Sequence, residues 1–480
     1  MSIQAKHFKK NATKAIKNPQ IQTNLKRLYS HFHLAREDAV KATHNWEDLR
    51  NQAREIKEHV INHLDYYLEV LEERIKGHGG KVYFAKDANA ANEYILNIAR
   101  DNDVKLVTKS KSMVSEEMNL NHVFGQAGIE SVETDLGEYI IQLADETPFH
   151  IVAPAIHKSK EEVSELFVTK AHTPKYESIP ELTEAARGLL RDKFAKADMG
   201  ITGVNFAVAE TGTIALVTNE GNARMCTSVP RVHVAIMGME KIVPTLEDLG
   251  LFLKLLVRAA TGQPVTSYFT FVTGPKRDDD EDGPDEFHLV ILDNGRSKIL
   301  ANPALRESLY CIRCGACLNA CPVYRTVGGH AYGWVYPGPI GKIITPMLTG
   351  LGEASDLPFA STLCGACHEV CPIKINIPRM LVTLRNELIE GKTYPKEKTR
   401  HIFESLLFKG WNITMKTPIL LNIISKIGVK LQRPWIRKGK IKRIPLLFSG
   451  WTKYRDLPPL SSKSFREIWE EKLKDKGKMN

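Results

Sequence analysis

Eleven residues starting at Cys311 read Cys-Ile-Arg-Cys-Gly-Ala-Cys-Leu-Asn-Ala-Cys, and Pro322 follows at once. The spacing C-x2-C-x2-C-x3-C-P is the ligand run of a ferredoxin-type iron–sulfur site, in which thiolates hold the iron. Fifty residues later the chain repeats it with Cys364, Cys367, Cys371 and Pro372. Cys314-Gly-Ala-Cys317 maps onto Cys364-Gly-Ala-Cys367, and Cys321-Pro322 onto Cys371-Pro372. Only Cys311 lacks a counterpart, because Ser361 stands in its partner's place. Seven of the eight cysteines thus belong to one internal repeat, which points to electron transport.

In two-cluster ferredoxins the fourth cysteine of each run ligates the other cluster. Applied to this chain, Cys311, Cys314, Cys317 and Cys371 hold one cluster, and Cys321, Cys364 and Cys367 hold a second. The first set is complete and implies 4Fe–4S. The second is one thiolate short. Either Ser361, water or another group caps a fourth iron, giving 4Fe–4S, or the cluster is 3Fe–4S. Rival chemistries fit less well. Structural zinc needs four ligands per site and has no use for the two C-x3-C-P exits. Cys364-Gly-Ala-Cys367-His368 matches a haem-c attachment, but its repeat partner carries Leu318 in place of the histidine. Clustered rather than scattered cysteines argue against a disulfide scaffold.

Between the runs lies Gly328-Gly-His330-Ala-Tyr332-Gly-Trp334-Val-Tyr336-Pro337-Gly338-Pro339. Glycine and proline hold an irregular loop, and the aromatics could shield a cluster from water or pack as a linker. His330 is expected to pack or hydrogen-bond rather than to ligate. Cys226 stands apart from the repeat and reads as a small buried hydrophobe.

Several elements must position this chemistry. At 480 residues the chain exceeds the ~250–300 that one core supports, so it divides into domains. Residues 1–76 form a helical N-terminal arm. Ile56, Val60, Leu64, Tyr67, Leu68, Leu71 and Ile75 fall on one helical face, which ends at Gly77-His-Gly-Gly80. Residues 77–300 alternate strands and helices, an α/β domain with a covered sheet. The strand candidates are Lys81–Ala85, Val104–Thr108, Ile151–Pro154, Val232–Met237, Ser267–Thr273 and Phe287–Leu292, and Phe206–Glu210 with Ile214–Thr218 flank a tight turn. The acidic stretch from Arg277 to Glu286 reads as a solvated loop. Residues 301–391 form a small α-helical ferredoxin-type domain, and 392–480 a basic, aromatic tail.

The net charge of +10 is local. Ser405 to Arg455 carries twelve Lys or Arg and no acid, leaving 54 basic against 56 acidic residues elsewhere. With Trp411, Trp435, Trp451 and Ile419–Ile424, the tail could lie on an anionic membrane surface or dock on partner subunits; docking is the favoured reading. No nucleic-acid partner is implied, since no reading motif accompanies the charge. No apolar run approaches the ~18 residues of a membrane span. The basic start, Met1 to Lys17, lacks an apolar core and is read as the start of the helical arm, with a mitochondrial presequence as the weaker reading. The expected location is cytoplasmic, with peripheral membrane contact as the alternative.

Taken together, these residues resemble the lactate-utilisation iron–sulfur protein B family. The resemblance covers most of the chain. It rests on Ala197-Asp-Met-Gly-Ile-Thr-Gly-Val-Asn205, Glu210-Thr-Gly-Thr213 with Asn219-Glu-Gly221, Thr273-Gly-Pro275, Leu292-Asp-Asn-Gly-Arg-Ser297, the cysteine repeat with its Ser361, the Gly-Gly-His-Ala-Tyr-Gly loop, and Trp451 through Pro459. It implies an isomerase/CoA-transferase-like fold for the α/β domain and electron transport during oxidation of L-lactate to pyruvate. It also implies two partner subunits, one rich in cysteine motifs and one sharing the α/β domain. No dinucleotide or flavin motif is visible. Glu210, after a strand and before Thr-Gly-Thr, is the candidate carboxylate if the α/β domain binds a substrate; otherwise it and Asn219 are hairpin residues. The alternative function is therefore a redox enzyme binding its own small carboxylate in that domain.

Overall fold

The computed structural model describes residues 4–391, 402–444, 449–450, 452 and 455–473. Trp451 and the stretch 392–401 lie outside the described residues. The chain divides into two compact units, residues 1–399 and 400–480.

In the first unit, ten strands build two sheets. They are β1 (Lys81–Ala85), β2 (Leu106–Lys109), β3 (Glu130–Glu133), β4 (Met199–Gly203), β5 (Phe206–Val208), β6 (Thr213–Thr218), β7 (Val232–Gly238), β8 (Ile242–Val243), β9 (Tyr268–Val272) and β10 (Glu286–Leu292). The larger sheet is parallel in the order β1-β10-β7-β4-β2-β3, and the smaller runs β8-β5-β6-β9. All seven residues of β7 are buried, as a sheet covered on both faces requires. β5 and β6 pair antiparallel around Gly212, the expected tight turn.

Two expectations are corrected. The segment Ile151–Pro154 is irregular rather than a strand. Its Val152 and Ala153 N–H groups donate to His150 Nδ1, and the Phe149 N–H closes a turn on the Pro154 carbonyl, so the backbone is spent locally. The single helix over Ile56–Ile75 is two helices. Five α-helices lead the chain: α1 (Phe8–Ile16), α2 (Pro19–Leu28), α3 (Leu34–Lys41), α4 (Trp46–Asn62) and α5 (Leu64–Gly77). His63 breaks the last two apart at φ −125, ψ 38, with its ring N–H on the His59 carbonyl. The expected stop holds, with Gly79 at φ +83.

β3, β4 and β8 carry no clear sequence signal. β3 reads Glu-Ser-Val-Glu at a sheet edge, and β8 has two residues. β4 contains two glycines, which weaken strand propensity. At Gly200 a Cβ would stand 1.8 Å from the Cys226 carbonyl oxygen, so glycine lets the short helix Asn222–Ser228 lie against the sheet. Cys226 sits in that helix, fully buried, with burial pushing its thiol up to about 11.

The N-terminal helices, the sheets and the cysteine region share one core. It runs from Trp46 and Leu71 through Phe206 and Phe252 to Cys314, Cys371 and Leu384. A second core of α1, α2, Phe149, Tyr324 and Tyr332 covers the other side of the first cysteine run.

In the second unit, helices Ile402–Lys416 and Pro418–Leu431 precede a two-stranded ribbon, Ile436–Arg437 with Lys440–Ile441. Phe403, Leu406, Trp411, Ile419, Ile423 and Ile427 are all exposed. Among the described residues, no helix is long and apolar enough to cross a membrane.

Candidate functional site

The two cysteine runs fold alike. In each, a non-glycine residue takes the left-handed region between the first ligand position and the second: Arg313 at φ +61 and Leu363 at φ +55. That strained bend turns the backbone around a common centre. The Arg313 N–H donates to Cys311 Sγ at 3.4 Å, and the Leu363 N–H to Ser361 Oγ at 3.2 Å. Ser361 therefore presents its hydroxyl to the local backbone as Cys311 presents its thiol. The Tyr324 N–H points at Cys321 Sγ at 3.5 Å.

All eight cysteines are unbridged. Cys311, Cys314, Cys317 and Cys371 line one cavity, walled by Ile151, Ile340, Ile373, Ile375 and Ile377. Burial raises the Cys314 thiol to about 12, helped by Cys371 and Cys311, and Cys371 to about 11, with Cys311 adding to it. Burial likewise raises Cys317 well above its ordinary value, with Cys311, Cys314, Cys367 and Cys371 as further causes. Cys367 is raised to about 12 by burial and by Cys321 and Cys364. The exposed Cys364 is lowered, chiefly by the Ala366 N–H. Cys317 also faces Cys367, so the second run's thiols lie next to the cavity that Cys311, Cys314, Cys317 and Cys371 share. So many soft donors in apolar surroundings suit a thiophilic cation, and iron–sulfur clusters fit this donor set.

Sequence reading missed the residues that hold these runs in place. From α4, Arg50 donates to the Cys371 carbonyl from Nε at 3.0 Å and Nη2 at 2.8 Å, and to the Glu369 carbonyl at 2.9 Å. Arg36 of α3 donates to the Val370 carbonyl at 2.9 Å, and Arg54 to the Lys374 carbonyl at 2.7 Å. The amphipathic pattern of α4 gave no sign of this, because arginine on a helix ordinarily reads as solvated. A buried ion network joins the α/β domain to the first run. Arg296 grips Glu117 with Nη1 at 2.9 Å and Nη2 at 2.8 Å, and donates from Nε to Glu240 at 2.8 Å. Glu240 also accepts from Arg313 at 3.3 Å, and Tyr336 donates to Glu117 at 2.6 Å. Burial alone would raise the Glu240 carboxyl, but Arg296, Arg313 and Lys241 outweigh it and hold it at about 2.

Lys342, on the helix Gly338–Thr349, is fully buried with Nζ 3.8 Å from Cys321 Sγ and 5.6 Å from the Tyr332 ring centroid. The loop ahead of it folds over the site. At Gly329 a Cβ would meet the Phe149 carbonyl oxygen at 1.7 Å, so only glycine lets the loop close there. His330 donates to the Thr147 carbonyl at 2.7 Å, and His368 Nδ1 to the Ile375 carbonyl at 3.1 Å. Glu210 is exposed, accepts the Leu246 N–H at 3.3 Å and does not line the large cavity of the α/β domain. Asn219 does line that cavity and bonds Gln263, Thr266 and Ser267.

Three family models cover this architecture: the LUD domain over residues 68–292, a 4Fe–4S dicluster domain over 307–375, and the C-terminal region of lactate utilisation protein B over 383–474. The chain is 45% identical to lactate utilization protein B of Shouchella clausii, over 98% of this chain and 97% of that one. The chain belongs to the lactate utilization protein B family. The relative from Oceanobacillus iheyensis is 44% identical over 97% of this chain and 96% of its own. A crystal structure of a DUF162 family protein from Deinococcus radiodurans aligns with 48% of this chain and 98% of its own, at 14% identity and a TM-score of 0.28; so slight a likeness carries no argument. The fold is thus an α/β LUD domain joined to a 4Fe–4S dicluster domain.

Proposed function

We propose that this protein is the iron–sulfur electron-transfer component of a system that oxidises L-lactate to pyruvate. The carrying observation is the cavity shared by Cys311, Cys314, Cys317 and Cys371, with Cys367 of the second run beside Cys317, inside a chain that matches lactate utilization protein B over 98% of its length. Cys311, Cys314, Cys317 and Cys371 hold the first cluster, of the 4Fe–4S type. Cys321, Cys364 and Cys367 hold the second, with the Ser361 hydroxyl at its fourth corner; this makes 4Fe–4S the favoured type over 3Fe–4S. Such clusters, when bound, supply one-electron acceptance and release. The chain's own residues set the conditions. Arg50, Arg36 and Arg54 fix the second run by its carbonyls. Tyr324 and Tyr332 exclude water on one side, and the exposed Cys364 leaves the second group nearer the surface.

Removal of two electrons from L-lactate falls to partner subunits in this reading, one cysteine-rich and one sharing the α/β domain. The second unit is their docking surface, since its exposed apolar residues lie on a basic helical pair. To test the relay, the anaerobically prepared chain is mixed with L-lactate, alone and with both partners. Reduction, followed by visible absorbance and EPR, is expected only when the partners are present. Reduction by the chain alone would contradict a pure relay and favour an enzyme with its own substrate.

A further inference from the structure

A cavity of about 390 Å³ opens between the α/β domain and the first cysteine run, with Cys314 in its wall. Its size is that of a small-molecule site. Apolar residues such as Phe32, Val152, Leu216 and Leu256 form its sides. Three cations converge on it: Lys111, Lys241 and Arg313. Lys111 donates to the Val152 carbonyl at 2.9 Å and lies near the carboxylates of Glu220 and Glu138. The Lys241 residue is buried and faces the Glu240 carboxylate, with the Arg313 guanidinium also near it. Arg313, its side chain one-tenth exposed, spends Nη2 on Glu240 and lies over the Tyr336 ring at 4.8 Å, while Nη1 is buried without a hydrogen-bond partner. A guanidinium nitrogen left unpaired in a protein interior is costly unless a ligand meets it.

The repeat sharpens the point. Arg313 and Leu363 hold equivalent places and the same left-handed backbone, so the cysteine loop itself does not demand arginine. The charged side chain serves something present at the first run and absent from the second. At the first run that includes Glu240, the Tyr336 ring and the cavity. Three carboxylates also line it: Glu240, already bound by Arg296 as well as Arg313, and Asp135 and Glu220 on the side of Lys111. On the same wall the Asn222 side-chain carbonyl is buried without a donor, and Ser110 and Ser112 add hydroxyls.

We propose that this cavity binds a small organic carboxylate, with Arg313 and Lys241 holding the carboxylate and the serine and asparagine groups meeting an oxygen substituent. Among such acids, the choice of the 2-hydroxy or 2-oxo class rests on the lactate-oxidation reading above. A planar guanidinium with a free nitrogen matches a carboxylate in shape as well as charge. A ligand there would lie beside the loop that carries Arg313 and Cys314.

The test is calorimetric titration of the full-length, cluster-loaded chain, without air, with L-lactate, pyruvate and inorganic phosphate in turn. The same titrations follow on Arg313→Leu, which copies the second run, and on Lys241→Met, each compared at matched iron content. Saturable binding of L-lactate or pyruvate, weakened at least tenfold by either substitution, is the expected result. Absence of saturable binding of both acids, or unchanged affinity in both variants, would overturn the proposal. Phosphate binding without carboxylate binding would overturn the ligand class. Failure of the relay reading would appear in reduction kinetics instead, and the isotherms are independent of those.

Discussion

In the proposed ligand sets, the last cysteine of each run belongs to the other run's cluster, so the sequence neighbours of a thiol do not say which iron it holds. Cys371→Ser should abolish the spectrum of the fully ligated cluster, while Cys364→Ser should leave that spectrum and disturb the other; EPR on both variants decides. Lys342 is the buried cation of the second group. Its Nζ is 3.8 Å from Cys321 Sγ; were a cluster held there at roughly 6 Å, Coulomb's law with an effective dielectric of about 20 would give ~3 kcal/mol of preference for the reduced form. Lys342→Met should therefore lower the second potential by on the order of 100 mV in a redox titration, with Lys342→Arg restoring most of it. That the two cysteine runs fold alike, with Ser361 in the place of Cys311, was legible because the repeat keeps a fixed spacing. Lys342, Arg296, Glu117 and Glu240 were not, since pairing between residues far apart in sequence leaves no local pattern.

At the scale of elements, α3 and α4 serve as a clamp on the second cysteine run. Arg50 makes charged hydrogen bonds to the buried Cys371 carbonyl, which also accepts the Lys374 N–H, and to the part-buried Glu369 carbonyl. Arg50→Leu should cost about 2–3 kcal/mol in urea unfolding of the loaded protein and speed loss of iron to a chelator, with Arg50→Lys intermediate. Equal stability would show that the carbonyls find other donors. The periodic apolar faces of α4 and α5 were readable, but the break at His63 was not, because a ring-to-carbonyl hydrogen bond does not alter hydrophobic spacing. The strand expected at Ile151–Pro154 failed for a related reason: His150 consumes the N–H groups that a ladder would use. β4 was missed because its glycines serve packing against Cys226 rather than strand propensity.

For the whole molecule, two properties follow from what is buried and what is exposed. Burial, with His288 beside it, lowers the imidazole of His233 to about 3; burial, with Lys111, lowers that of His150 to about 4 despite Asn319. Both are held below the ordinary 6.5, so the unfolded chain binds their protons first as pH falls. Their contribution is complete above pH 6.5 and is lost between there and about pH 3. Thermal unfolding should show a plateau above neutrality and a fall on acidification, and His233→Phe should make the fall shallower. The second unit gives the other prediction. Trp411→Ser combined with Ile419→Ser should weaken capture of the two partner subunits without altering iron content. Undiminished capture, together with salt-dependent binding of the wild-type chain to anionic vesicles that these changes abolish, would assign the surface to the membrane instead.

All of this depends on two iron–sulfur clusters in one chain. Anaerobic purification followed by iron, sulfide and zinc analysis, with EPR on the same sample, tests that directly. About seven to eight iron atoms per chain, with a comparable amount of sulfide and two interacting paramagnetic centres on reduction, is the predicted result. Zinc without sulfide, or a single cluster of about four iron atoms that survives Cys321→Ser and Cys367→Ser unchanged, would contradict the account.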